Sequence, residues 1–358
     1  MRQLIVVLLL TFMFSCSEEV RTNLTPKPNA FGTLNDVVII ADKNLSESIV
    51  GDSISYFFES AYPIMPAPEP YFDIRFFTPE DLEAKKTRKE LRTFVIVADV
   101  NNESSPTTQM LRKDIGEEKF LRAKSIDEYN SSVGIDKWAN GQLIVYIFGR
   151  GVNGVCNSLR ENYPAIAARI NKHDDTQLYA NIYPLKKLNF EANDEVKQLF
   201  GIDLSIPPEF KKANTVDNDN IIWLKRDIKT VEQDIVVRKF PYRSQSQMNK
   251  DSIIAMRNEY GRKYIQSTQE GSYMRTHEEF LPVYEYSAKV DGAYAIELRG
   301  TWEMENDFMG GPFVTFAILN APKNEIIFVD AFVYGPGKDK RDFMQQLVYI
   351  LKNAKLMK

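Results

Sequence analysis

GQLIVYIFGRGVNGVCNSLREN, residues 141–162, decides how the first half of the chain is read. It opens, at 143–148, with a run of β-branched and aromatic side chains, the pattern of a buried strand. Val155, Leu159, Tyr163, Ile166 and Ile170 then recur at helical spacing. Between the two stands Gly149-Arg150-Gly151-Val152-Asn153-Gly154, which has the form G-x-G-x-x-G. Strand, glycine turn and helix follow one another, a unit that belongs to sheets with packed helices.

A dinucleotide site built on such a turn needs an acidic residue about 20 positions on, at the end of the next strand. Asp174 and Asp175 lie at that distance, but they precede the next expected strand, 177–183, and so stand at the wrong end of it to reach a ribose. Pro164 lacks an N–H and is expected to kink or restart the helix. Val333-Tyr334-Gly335-Pro336-Gly337 repeats the device, after a strand and before a helix, without a third glycine. The simpler reading of both is a turn that needs positive φ, and no cofactor is expected.

Outward from this stretch, the first domain opens with a buried-strand run at 37–40 and a helix at 46–62, ended by Pro63, Pro66, Pro68 and Pro70. Strands are expected at 72–77 and 93–99, with a polar helical segment near 107–130 between them and the opening stretch. Charged and polar residues around Pro207-Pro208 mark a boundary. Beyond it come strands at 221–225 and 234–240, a helix at 250–265, strands at 283–289, 293–299, 313–319 and 325–333, and a helix at 339–354. A turn at Ala321-Pro322-Lys323-Asn324 joins two of these strands as a hairpin. The expected fold is α+β, with two domains at 37–190 and 195–358, each a largely antiparallel sheet with packed helices.

A chain of 358 residues exceeds the size at which single cores stop growing, which agrees with two domains. With 44% hydrophobic and 26% charged residues it can bury sizeable cores. A formal charge of -4 argues against nucleic acid as a partner.

The N-terminus carries the clearest functional signal. Met1-Arg2-Gln3 is a short positive region, LIVVLLLTFMF at 4–14 is apolar, and Ser15 precedes Cys16. The apolar run is too short to cross about 30 Å of hydrocarbon as a helix. The segment resembles a bacterial lipoprotein signal, with 1–15 removed and Cys16 lipidated (palmitate among its chains), although Met13 and Phe14 depart from the tight lipobox. Ser17-Glu18-Glu19 resembles a surface-export signal of Bacteroidota lipoproteins and equally fits an ordinary acidic tether. Residues 16–36 read as the lipidated Cys and a flexible tether. With Cys16 lipidated, Cys156 is the one thiol left, without an intramolecular disulfide. It falls beside the apolar stripe of its helix and reads as a small buried or half-buried residue.

Catalytic constellations are thin. The chain has only His173 and His277, and His277-Glu278-Glu279-Phe280 lacks the second histidine of a zinc-protease helix. Glu303 and Glu305 are an acid pair in sequence. The most distinctive segment is LRGTWEMENDFMGGPFVTF, residues 298–316, where Trp302, Phe308, Met309 and Phe313 surround Gly310-Gly311-Pro312. It has two readings: a docking patch of Trp302, Phe308, Met309, Gly310, Gly311 and Phe313 for a peptide, glycan or lipid, or a core plug closing one end of the sheet.

RGTWEMENDFMGGPF in this segment, and DAFVYGPGKDKRDFMQQLVYIL at 330–351, resemble a domain-of-unknown-function family of Bacteroidota lipoproteins. WANGQLIVYIFG at 138–149 extends the likeness over most of the mature chain. The resemblance implies an envelope lipoprotein and carries no activity, cofactor or catalytic residue. FGIDLSIPPEF at 200–210, the following IIWLKRD and the final strand and helix are similar, more weakly, to the PsbP/Mog1-like α+β fold, an analogy of fold alone. The expectation is an outer-membrane lipid-anchored binding or assembly module, with an envelope protein or glycan as partner. The enzyme alternative is a hydrolase on an envelope glycan or peptide.

Overall fold

The computed structural model describes residues 26–126, 128–213 and 220–357. The signal segment 1–15, Cys16 and the tether to residue 25 lie outside the described residues. The chain forms two compact units: the first holds the described residues up to Phe58 and Phe72–Ile170, the second holds Glu59–Tyr71 and the chain from Asn171 onward.

In the first unit the elements run β1 (Asp36–Ile40), α1 (Ile49–Phe58), β2 (Asp73–Phe77), β3 (Thr93–Asp99), α2 (Pro106–Ile115), α3 (Glu117–Ser125), β4 (Asn130–Ile135), β5 (Leu143–Gly149) and the start of α4 (Gly151–Ile182), which belongs to this unit as far as Ile170 and to the second unit from Asn171. The strand order is β2-β1-β3-β5-β4. Pairing is parallel throughout except between β4 and β5. This corrects the expected antiparallel sheet for this unit. The physical reason lies in the residues: β1, β3 and β5 are unbroken apolar runs buried on both faces, as parallel strands between helices are, whereas half-solvated antiparallel strands alternate. Val38, Ile40, Phe94, Ile96, Ile144 and Phe148 form one face with Leu111 and Phe120 of α2 and α3.

Two further expectations change here. Residues 177–182 of the expected strand 177–183 are the end of α4, which Tyr183 follows, because Leu178 and Ile182 continue the buried positions at 166, 170 and 174 with helical spacing. Pro164 sits inside that helix without ending it. The last part of the expected tether is also bonded: Ala30 N donates to Asn140 O at 2.8 Å, Phe31 N to Glu90 O at 2.9 Å, and Asn140 N to Pro28 O at 2.8 Å.

The second unit adds α5 (Phe190–Phe200), β6 (Ile202–Asp203), β7 (Lys211–Lys212), β8 (Ile221–Ile228), β9 (Val231–Pro241), α6 (Lys250–Tyr264), β10 (Tyr273–His277), β11 (Tyr284–Val290), β12 (Ala293–Glu305), β13 (Gly310–Asn320), β14 (Glu325–Tyr334), α7 (Arg341–Lys352) and β15 (Lys355–Leu356). Its main sheet is antiparallel, as expected, in the order β10-β12-β13-β14-β9-β8-β7, with β11 also on β12. The hairpin between β13 and β14 turns at Asn324, whose φ is +51°, and that between β11 and β12 at Asp291-Gly292, both with positive φ. Register places Asp330 beside Thr315 and Val236 on one face. That face holds a core of Trp302, Phe313, Phe328 and Phe332 with Ile253 and Tyr260 of α6.

A buried polar network crosses this core. Arg257 of α6 reaches Asp330 Oδ1 with its Nε at 3.2 Å and Thr276 Oγ1 with Nη1 at 3.2 Å, and its guanidinium lies 4.0 Å from the centre of the Phe313 ring. Tyr260 and Thr315 donate their hydroxyls to the same carboxylate. Burial pushes the Tyr260 hydroxyl up, and the Asp330 charge pushes it further, so it remains a donor. A charge pair this deep is tolerated because each member is hydrogen-bonded as well as paired.

Candidate functional site

The glycine turn does what a tight strand-to-helix connection requires. A Cβ on Gly149 would run into the backbone of Gly154, and Gly151 has φ +66°. Gly337, in the repeated device before α7, has φ +65°. Asp99, at the end of β3, accepts from Gly151 N at 2.7 Å and from Asn101 N at 2.9 Å. The N-terminus of α4, where a phosphate would sit, therefore faces a carboxylate of the chain itself.

The same holds one strand over. β1 and β3 flank the point where the strand order reverses, the usual ligand crevice of such sheets. Asp42, just past β1, accepts from Thr107 Oγ1 at 2.8 Å and Thr107 N at 3.2 Å, and from Ser105 Oγ, at the start of α2. Asp42 is thus engaged by the start of α2.

The segment around Gly310-Gly311-Pro312 is split between core and surface. Trp302 and Phe313 are buried in the core of the second unit, and Met309 packs partly buried against it. Trp302 Nε1 donates to Val333 O at 3.3 Å, and its ring meets Phe332 edge-on at 5.4 Å. Gly310 and Gly311 continue strand β13, and a Cβ on Gly311 would strike Val333 O. Phe308 alone of the six is fully exposed. A docking patch of all six residues is therefore replaced by a core wedge: two rings fill the end of the sheet, and the glycines let β12, β13 and β14 approach over them.

On β12, Glu303 stands opposite Arg275 of β10 and Glu305 opposite Tyr273, with Arg275 Nε reaching diagonally to 2.9 Å from Glu305 Oε2, and His277 Nε2 is 3.6 Å from Glu303 Oε2. This is a cross-strand charge ladder. Cys156 is half-buried, its Sγ 3.6 Å from Ser53 Oγ. Among the described residues no group of three or more His, Cys, Asp or Glu could hold a metal ion, and no helix is long and apolar enough to cross a membrane.

A concave site does exist in the second unit. The end of α4 and the outer face of α7 border a cleft of about 260 Å3 lined by Tyr179, Tyr183, Tyr349, Lys186, Ser205 and Asn353. Tyr179 and Tyr183, one helical turn apart, have ring centres 5.0 Å from each other at 47°. Burial raises the pKa of Tyr183, with Tyr349 adding to it, and burial followed by the Asp175 charge raises that of Tyr349. Both hydroxyls therefore stay protonated and can donate. Two lining residues hold left-handed backbone without being glycine, Lys186 (φ +55°) and Ser205 (φ +49°), and Leu185 (φ +56°) precedes the first of them in the chain. Sequence reading missed this site because 177–183 was assigned to a strand, which puts Tyr179 and Tyr183 two pleats apart instead of one helical turn apart. Tyr179 and Tyr183 at an i, i+4 interval were the available signal.

The two halves match two family models. Residues 30–183 match a domain of unknown function, DUF8532, and residues 189–353 match a domain of unknown function, DUF4837. None of the curated proteins matches the chain. Among solved structures it is similar to a Pseudomonas aeruginosa protein of unknown function, at 12% identity over 40% of this chain and 94% of that one, with a TM-score of 0.24. It is also similar to the human StarD13 lipid transfer and protein localization domain (8% identity, 47% and 95%, TM-score 0.22) and to human STARD10 (8%, 47% and 81%, TM-score 0.20). At these TM-scores the likenesses carry no argument about this chain.

Proposed function

We propose that this protein is a lipid-anchored binding module of the bacterial outer membrane, of Bacteroidota type, whose second unit takes its ligand in the tyrosine cleft. The observation that carries the binding part is the cleft itself: aromatic side chains, hydroxyl donors and one lysine line a concavity in which two non-glycine residues, Lys186 and Ser205, hold left-handed backbone. Such strain persists where the surroundings enforce it and concentrates at ligand sites. The anchoring part is supported by the sequence, in which a positive start, a short apolar run and a small residue lead into Cys16.

Fractionation tests the anchor. Cys16→Ala is expected to move the chain from the outer-membrane fraction to the soluble one, since a stable anchor needs its acyl chains. A variant that still sediments with the outer membrane would refute the lipid anchor. The cleft is tested by a pull-down from envelope membranes with the parent and with Tyr179→Ala, a ring that is 41% exposed and therefore removable without opening the core. Retention of one partner by the parent and its loss from the variant is the expected result, and equal retention by both removes the cleft as the contact.

A further inference from the structure

Resting on the reading that the cleft binds a ligand, we infer that its ligand is a single saccharide ring bearing a carboxylate. Size comes first. Pockets for drug-sized ligands run from roughly 300 to 1,000 Å3, and this cleft holds about 260 Å3. That is room for one ring and its substituents, with the rest of a longer glycan left in solvent.

The lining then selects the chemistry. A sugar ring presents C–H groups on its faces and hydroxyls around its edge. The cleft offers the matching pair, tyrosine faces for the one and the tyrosine hydroxyls, Ser205 and Asn353 for the other. Leu188 is its one aliphatic side chain, so an acyl chain would find little matching surface and would take water from the tyrosine hydroxyls without replacing it, at about 1–3 kcal/mol for each group left unpaired, whereas Asn353 Nδ2 and Ser205 Oγ already donate to Tyr349 O and Asp203 Oδ1. Lys186 is the one ionised residue of the lining, and it is a cation. A carboxylate on the ring gives that lysine its partner, whereas a neutral ring leaves it without one.

The backbone agrees. Leu185 and Lys186 are consecutive left-handed residues, and Lys186 N donates to Tyr183 O at 2.9 Å, which ties the lysine to the tyrosine beneath it. An unstrained turn with glycine at either position would be the cheaper way to leave α4. The lysine found at the second position keeps a side chain in the lining of the cleft.

The experiment is a calorimetric or NMR titration of the mature chain with methyl glucuronide and methyl glucoside, which share a ring and differ in the carboxylate. The expected result is weak glucuronide binding, at least tenfold weaker glucoside binding, loss of both in Tyr179→Ala and in Tyr349→Ala, and loss of the difference between them in Lys186→Met. Unchanged denaturation midpoints establish that the variants are folded. Equal binding of the two sugars by the parent, or glucuronide binding unaltered by Tyr179→Ala and Lys186→Met, overturns the inference. If neither sugar binds while the membrane pull-down still depends on Tyr179, the saccharide assignment fails and the binding reading stands. If both experiments are blank, both fail.

Discussion

Asp234 on β9 shows what one buried residue can do to the whole stability profile. It is fully buried; Trp223 Nε1 donates to its Oδ1 at 2.7 Å, and its Oδ2 accepts no hydrogen bond. Burial pushes its carboxyl well above the usual range, and the neighbouring Glu232 charge pushes it further, with Lys225 opposing. The native state therefore holds a proton that the unfolded chain releases near pH 4. Where the native state binds more protons, stability falls as pH rises. The contribution of Asp234 is thus fully present below its unfolded pKa and is lost as pH climbs through the folded one. Asp234→Asn keeps the shape and the acceptor for Trp223 and removes the titration. We expect it to raise stability at pH 7 and to flatten the decline that begins as pH rises past the unfolded carboxyl's value of about 4. Urea denaturation at several pH values reads both effects, and an Asn variant less stable than the parent at pH 7 would contradict the account. Asp330 is the counterexample in the same core: equally buried, it is met by Arg257, Tyr260 and Thr315.

At the scale of elements, the glycine turn separates two kinds of glycine requirement. Gly149 is fixed by contact, because a Cβ there meets the Gly154 backbone, while Gly151 has open space and only its φ of +66° to satisfy. Gly149→Ala is expected to lose about 1–3 kcal/mol or more as overpacking between backbones that cannot move apart. Gly151→Ala should lose about 1–2 kcal/mol of left-handed strain. Chemical denaturation orders the two, and a Gly151 variant that is the worse of the pair would show that conformation rules the turn and not packing. This turn was legible in the sequence, as were β1, β3, β5, the antiparallel strands β11 to β14 and α7, since each carries an unbroken period or an explicit turn signal. Parallel pairing was not read, although three continuous apolar runs separated by helices signal it. The end of α4 was misread because Pro164 and the polar stretch around Asp174 hide a helix that buried Leu178 and Ile182 continue. The tyrosine cleft was lost with it, since Tyr349 and Ser205 join Tyr179 only through tertiary structure.

At the scale of the molecule, the order of the chain and the order of the units do not coincide. Glu59–Tyr71, proline-rich and early in the sequence, belongs to the second unit, most of which begins at Asn171. The loop closes on itself through Tyr62 N donating to Glu69 O at 2.7 Å, and Asn171 Nδ2 donates to Tyr71 OH at 3.0 Å. It also meets the start of α7. Both oxygens of Glu69 cap that helix, accepting from Lys340 N at 2.8 Å and Arg341 N at 2.7 Å, while Arg341 Nη1 donates to Pro70 O at 2.6 Å. Helix N-termini leave amides without partners and favour a negative charge, and Lys340 makes no side-chain cap of its own. The prolines reduce the entropy lost when the loop is ordered. Glu69→Ala should therefore destabilise the second unit by about 1–2 kcal/mol, the scale of a lost cap. Glu69→Gln, which retains one acceptor and loses the charge, should lose less. Denaturation followed by tryptophan fluorescence with Trp138 replaced by Phe, which leaves Trp223 and Trp302 of the second unit as reporters, reads that unit directly. If Glu69→Ala leaves that transition unmoved, the early loop only rests on the second unit; if it moves as expected, a fragment starting at Asn171 is an incomplete fold, missing a cap that the sequence supplies 271 residues before Lys340.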